Sequence, residues 1–592
     1  MRIRILALLL ALVMLFSLSS CCCCCPSSED LGYIFDLDGL FGEEYGSEND
    51  DADDIGVPGD TSNAIVPDES ETPGVTPEPE KPYRETISMS REELEAMLTI
   101  TDADFEAAEA YLNDFLEIAL VSYDYDEVDA AYLLFEDAYI HIKTQVSVAN
   151  IIYYIDMSDE AASDRYLDIY GRFGDIYNAY IEVCKEIYNK SPISDELFAD
   201  WTEEEIAEML AYDPETQELR EENEALLIEL NELSDGEFND RAAEIYAQLV
   251  TNNNRIARLC GYDNYYVYAM EKVYMRDYSV EDVDKFASLV RDYYVSNYNA
   301  VNNNWMNRYY ALPTVDSEVM YNYLFKPFDR LGTNYLEGYI SSLDGSMAEG
   351  IGHMFANRNV VFTNSSNSHP SAFQTYLDEY ESPFCLFGKD GQSTDTLAHE
   401  MGHYYAALYN PDLISMDLAE TQSQGNEMLL LAYLKGEMPT PIYRALRSYT
   451  LYVYMAETIV CVIVDEFERE VYSLDSVEGY TAADFDAIME SVCEKYGGID
   501  FVNENITDIN YYWRMVATNN PVYYISYAVS MTEALNIFSI AEKDEAAGRE
   551  AYRIIVEEVN EDDGFLSAIG KAGLSSPFDE DTFKRISVMM IK

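Results

Sequence analysis

From Ser90 onward apolar residues return every three or four positions, the spacing of one helical face. In "SREELEAML" Leu94, Met97 and Leu98 share that face. Ser90 to Glu93 has the S-x-x-E form of a capping box, which predicts a helix start there. The same period runs through "EALLIELNEL" and "RAAEIYAQLVTNNNRIARL", with breaks at Ser234-Asp235-Gly236 and Gly261-Tyr262-Asp263. Strand signal is sparse. "NVVFT" (Asn359 to Thr363) and "PFCLF" (Pro383 to Phe387) are short runs bounded by turn residues and predict a small sheet. "GKDG" (Gly388 to Gly391) then turns the chain into a helix that Ser393, Thr394 or Asp395 can cap and Asn410-Pro411 ends. The pattern predicts a mainly α protein with a small sheet just ahead of one helix.

The N-terminal pattern differs. Arg2 and Arg4 precede an apolar run from Ile5 to Phe16, shorter than the ~20 residues that span a bilayer, so residues 1–20 read as a secretory signal. Leu18-Ser19-Ser20-Cys21 resembles the bacterial lipobox, which makes Cys21 the lipidated first residue of the mature chain. Residues 21–88 contain the acidic "EEYGSENDDADD" and the Pro- and Glu-rich "VPDESETPGVTPEPEKP", a composition that buries little and reads as an extended tether. These features place the protein outside the cytoplasm, lipid-anchored to the outer face of a bacterial cell membrane. Leu451 to Val464 is interrupted by Glu457 and reads as a buried helix rather than a span.

Composition narrows the function. The 592 residues exceed one ordinary core and imply two or more lobes. Hydrophobic residues at 48%, with 51 tyrosines, are enough to fold most of the chain. The net charge of -75 repels nucleic-acid phosphates, so nucleic acid is not expected as a partner. Beyond the run Cys21 to Cys25, the cysteines Cys184, Cys260, Cys385, Cys461 and Cys493 stand far apart, which reads as scattered core thiols rather than a disulfide framework.

Against only 5 histidines, "TLAHEMGHYY" (Thr396 to Tyr405) sets His399 and His403 four apart with Glu400 directly after the first. Positions i and i+4 share a helical face, so the two imidazoles can hold one zinc ion while Glu400 serves as general base toward its water. The bland alternative is two exposed histidines on a surface helix. No histidine follows His403, so a third ligand should be a carboxylate. The next helix, "SMDLAETQSQGNEMLLLAYL", offers Asp417, Glu420 and Glu427, of which Glu420 and Glu427 lie two turns apart on one stripe.

"LAHEMGH" followed by "LAETQSQGNEMLL" resembles the thimet oligopeptidase and oligoendopeptidase F family of zinc metallopeptidases. The stretches Asn252 to Phe286 and Asn520 to Phe538 are similar to the family's helical region before the catalytic core and to its tyrosine-bearing segment, so the likeness covers the chain from about Ser90. It implies a two-lobed helical metallopeptidase with a deep substrate channel, one zinc ion and short peptides as substrates. By position it makes Glu420 the third ligand and Glu427 a neighbour that orients a ligand histidine. It also makes Tyr524 and Tyr527, with Tyr523 less clearly, the hydroxyls that bind substrate and stabilise the oxyanion. The chain is then divided into residues 89–310, an N-terminal helical region, and 311–592, the catalytic region. One departure stands out. The family's histidine about eight residues before the tyrosines is missing from "WRMVATNN" (Trp513 to Asn520), which leaves His353 or His369 to replace it. That loss is also what a catalytically weak or inactive peptide-binding lipoprotein of the same fold would show.

Overall fold

A computed structural model describes residues 86–592 apart from 232, 234–237, 326–329, 412–414, 517, 519–520 and 561–562. The signal, Cys21 and the tether up to residue 85 lie outside the described residues, as does the break at Ser234-Asp235-Gly236.

The first core is a helical bundle. The capping box at Ser90 forms as the sequence predicts, with Ser90 and Glu93 bonded reciprocally. Beyond it run α1 (Asp102–Ala119), α2 (Tyr125–Ile155) and α3 (Glu160–Lys190). α2 contains neither glycine nor proline, and Asp124 caps it by accepting the Asp126 N–H at 3.1 Å. Its Thr144–Tyr153 stretch is buried on every side, as befits a helix enclosed by its neighbours. A second, larger core begins with the Phe238–Leu259 helix and extends to the C-terminus. Phe286, Tyr298 and Trp305 pack in the same core as the histidine helix.

A three-stranded sheet lies between the two cores, with β1 (Val360–Phe362), β2 (Ala372–Leu377) and β3 (Ser382–Phe387) in the order β1-β3-β2. β1 pairs with β3 in parallel, Val361 opposite Leu386, and β2 pairs with β3 antiparallel, Phe373 opposite Leu386. Alternate residues serve different cores. Val361, Phe373, Leu377, Phe384 and Leu386 face the bundle, while Val360, Ala372, Cys385 and Phe387 face the larger core. Such strands have no solvent side and hence no alternation of polar residues.

Four long helices carry the rest of the argument: α4 (Thr394–Tyr409), α5 (Met416–Glu437), α6 (Thr440–Tyr472) and α7 (Tyr524–Ala541). The stretch Leu451 to Val464 lies inside α6, buried but for a half-buried Val453, and among the described residues no helix is long and apolar enough to cross a membrane. Cys184, Cys385, Cys461 and Cys493 are buried free thiols, whereas Cys260 is exposed.

Candidate metal centre

Of the three caps open in the sequence, Ser393 is the one used: its Oγ accepts the Thr396 N–H at 3.1 Å and starts α4. β3 backs this helix, and the Cys385 thiol donates to the Glu400 backbone carbonyl at 3.9 Å. The helix is buried from Thr396 to Ala406, with His399 at 2%, His403 at 5% and Glu400 at 0% exposure. Histidines on a surface helix are thereby excluded.

α5 approaches α4 closely because Gly402 lacks a side chain. A Cβ there would stand 2.7 Å from both the Gln422 carbonyl oxygen and the Ser423 Cα, backbone that cannot swing aside. Asn426 fixes the register, its Nδ2 donating to the Ala398 carbonyl at 2.6 Å while its Oδ1 accepts from the Tyr339 hydroxyl at 2.7 Å.

This packing carries Glu420, fully buried, to the two imidazoles. His399 Nε2 and His403 Nε2 are 3.2 Å apart, and Glu420 Oε2 lies 3.5 Å from the first and 3.7 Å from the second. Ligands at the ~2.0–2.1 Å typical of tetrahedral zinc would be separated by about 3.3–3.4 Å. The triangle fits that cage, and His399, His403 and Glu420 form a metal-competent group among the described residues.

His399 and Glu420 are held from behind. Glu427 Oε1 accepts from His399 Nδ1 at 2.6 Å, and its Oε2 accepts from the Tyr454 hydroxyl at 2.9 Å. The Tyr523 hydroxyl donates to Glu420 Oε1 at 2.5 Å, and Ser423 Oγ donates to Oε2 at 3.2 Å. Burial pushes His399 down, but the Glu427 hydrogen bond and the charges of Glu427, Glu420 and Glu400 outweigh it and bring the group to about 9. Burial lowers His403 to about 4, with Glu420 opposing and the His399 charge adding to the drop. The side chains of Glu427, Glu420 and Glu400 thus lie around the two imidazoles, a nitrogen and oxygen donor set that suits a divalent ion.

The sequence-derived residues sort as follows. Glu420 joins the histidines and Glu427 sits behind His399, while Asp417 pairs instead with Arg276, both side chains fully buried and 3.5 Å apart. Tyr524 and Tyr527 lie buried in the first turn of α7, and the Tyr527 ring packs at 4.9 Å against Tyr523. Tyr523, the least clearly assigned of the three from sequence, donates its hydroxyl to the candidate ligand Glu420. Tyr454, Asn426 and Arg276 were missed, since nothing in local spacing marks them.

His353 bonds the Tyr404 hydroxyl at 2.8 Å, and His369 packs at 4.8 Å on Tyr154 with burial lowering it to about 4. In the stretch that lacks the histidine, Trp513 Nε1 donates to Asp486 at 2.8 Å, and Ala517, Asn519 and Asn520 lie outside the described residues.

No family model matches the chain, and no curated protein matches it either. Solved structures do. One named as an oligoendopeptidase F superposes with a TM-score of 0.65 at 17% identity, covering 82% of this chain and 96% of that one. Pz peptidase A, solved with an inhibitor, gives 0.65 at 18%, covering 82% and 97%. Another named as an oligoendopeptidase F, from Bacillus anthracis, gives 0.63 at 17%, covering 82% and 95%. The fold is that of these helical peptidases, almost over their full length.

Proposed function

We propose that the chain is a zinc-dependent endopeptidase that hydrolyses short peptides outside the cytoplasm, tethered to the membrane through a lipid on Cys21. The observation that carries the reading is the triangle of His399, His403 and Glu420, with Glu400 beside it, on a fold shared with oligoendopeptidase F structures. The names of those neighbours support peptides as the substrate class.

When bound by the three side chains, zinc supplies Lewis acidity toward a peptide carbonyl and lowers the pKa of water. The remaining work belongs to the chain. Glu400 takes the proton of the attacking water on its carboxylate and passes it to the departing amine. Glu427 holds the Nδ1 proton of His399, which leaves Nε2 as the lone pair facing the cage. Tyr523 occupies one oxygen of Glu420 and leaves Oε2 turned toward the imidazoles. Tyr524 and Tyr527 bind substrate and stabilise the oxyanion with their hydroxyls.

The test is elemental analysis of the purified chain together with cleavage of internally quenched peptides, before and after chelation. One zinc per chain and turnover that chelation abolishes and zinc restores are expected. Turnover indifferent to chelation rejects the mechanism, and zinc without turnover favours the inactive peptide-binding alternative that the missing histidine raises. Labelling with a fatty-acid analogue, lost in Cys21→Ser, tests the anchor.

A further inference from the structure

Among the described residues, four that are not glycine adopt left-handed backbone: Met275, Arg358, Glu381 and Val522. Val522, at φ 63°, is the most unusual, because a β-branched side chain crowds its own backbone there. It immediately precedes Tyr523, the tyrosine that grips Glu420. Such a conformation persists only where its surroundings hold it, and here they do. Glu468 Oε1 accepts the Val522 N–H at 2.7 Å, Arg276 Nη2 donates to the Val522 carbonyl at 2.8 Å, and the Tyr274 hydroxyl donates to the Pro521 carbonyl at 2.8 Å.

Met275, at φ 46°, is a second strained residue and directly precedes Arg276, so left-handed turns sit at both ends of this contact. The Arg276 side chain is fully buried. Besides Val522, its Nη2 donates to Ser526 Oγ at 2.8 Å, its Nη1 meets Met270 Sδ at 3.0 Å, and its Nε lies 3.5 Å from Asp417 Oδ1. Asp417 stands one turn before Glu420 on α5. A single guanidinium therefore ties the helix that carries Glu420 to the turn that carries Tyr523. It also covers the Tyr274 ring at 4.5 Å, and that ring packs at 5.6 Å on Tyr523.

We infer that Arg276 is a positioning residue for the metal centre, setting the Tyr523 to Glu420 contact through Asp417 on one side and the Val522 turn on the other. The inference rests on the zinc reading above. A planar fork with several donors suits this strut. A lysine ammonium at the Nη2 position could serve Val522 and Ser526, but lysine has no second nitrogen to place beside Asp417 as Nε does.

The experiment measures zinc affinity by competition with a chromogenic chelator in the full chain, for wild type, Arg276→Lys, Tyr523→Phe and the double variant. Circular dichroism checks that each is folded. Each single substitution is expected to weaken zinc by about 10–100-fold, the usual effect of losing a group behind a ligand. The double variant is expected to stay within about threefold of the weaker single, because both act through one contact. Unchanged affinity in folded Arg276→Lys overturns the inference, as does a double variant whose loss is the product of the two singles. If Arg276→Lys does not fold, Glu468 reads the same turn: Glu468→Gln keeps an oxygen for the Val522 N–H and should bind zinc like wild type, whereas Glu468→Met should not. Equal behaviour of that pair overturns the inference. A wild-type chain that binds no zinc is a different failure, since it removes the zinc reading itself.

Discussion

The bundle of α1 to α3 and the seam where α4, α5 and α7 meet are both buried, yet they are built from opposite materials. In the bundle, rings pack on rings: Phe135 on Tyr180 at 5.1 Å, Tyr139 on Phe173 at 5.0 Å, Phe115 on Tyr132 at 5.4 Å. In the larger core lie the fully buried acids Glu400, Asp417, Glu420, Glu468 and Glu533. Burial of apolar area needs only volume to be right, and it tolerates exchange of similar shapes. Burial of charge needs a named partner for each group. The bundle is thus a store of stability, and the seam spends some of it to hold groups at fixed distances.

Four substitutions test that contrast. Glu400→Gln should have the largest effect, cutting kcat in peptide hydrolysis by about 10²–10⁴-fold while zinc content and thermal midpoint stay near wild type. Phe135→Ala should do the reverse. It removes a ring from the bundle, costs about 3–5 kcal/mol in denaturant unfolding, and leaves zinc affinity of the folded chain unchanged. Gly402→Ala should harm both, since its new methyl meets α5 backbone; a loss of about 1–3 kcal/mol in stability with weakened zinc binding is expected. Gly402→Ala with full zinc affinity would show that the two helices need not touch there.

The smallest effect lies at the rim of the bundle. Hydrogen bonds from Arg358 and from the Ser90 N–H hold Glu93 at about 2, below its ordinary 4.5. Because the folded value is the lower one, this contribution is present in full above about pH 4.5 and is lost as pH falls toward 2. The group is exposed, so the slope should be slight. Glu93→Gln should flatten it in thermal midpoints compared between pH 5 and pH 3.

Sequence reading reached α4 because a cap, a helical period and two scarce histidines coincide within a dozen residues. Spacing along the next helix put Glu420 and Glu427 on one stripe, and the family resemblance singled out Glu420 as the ligand. It missed β2, whose "AFQTYL" buries Gln374 and Thr375 with both faces covered and so shows neither alternation nor a purely apolar run. Tyr523 ranked below Tyr524 and Tyr527 because the resemblance assigns those roles by position; its contact with Glu420 follows a left-handed Val522, a conformation that no residue preference would assign to valine. Arg276 was out of reach for a different reason: its partners are Asp417 and Val522, far along the chain, and only tertiary packing brings them together.

The sheet has a consequence for how the molecule comes apart. Val361 and Leu386 belong to one interior while Val360, Cys385 and Phe387 on the same ribbons belong to the other, so the strands form a party wall with both tenants' beams let into it. Neither interior can melt without stripping a face of that wall, and heating the chain should disassemble both halves in one event.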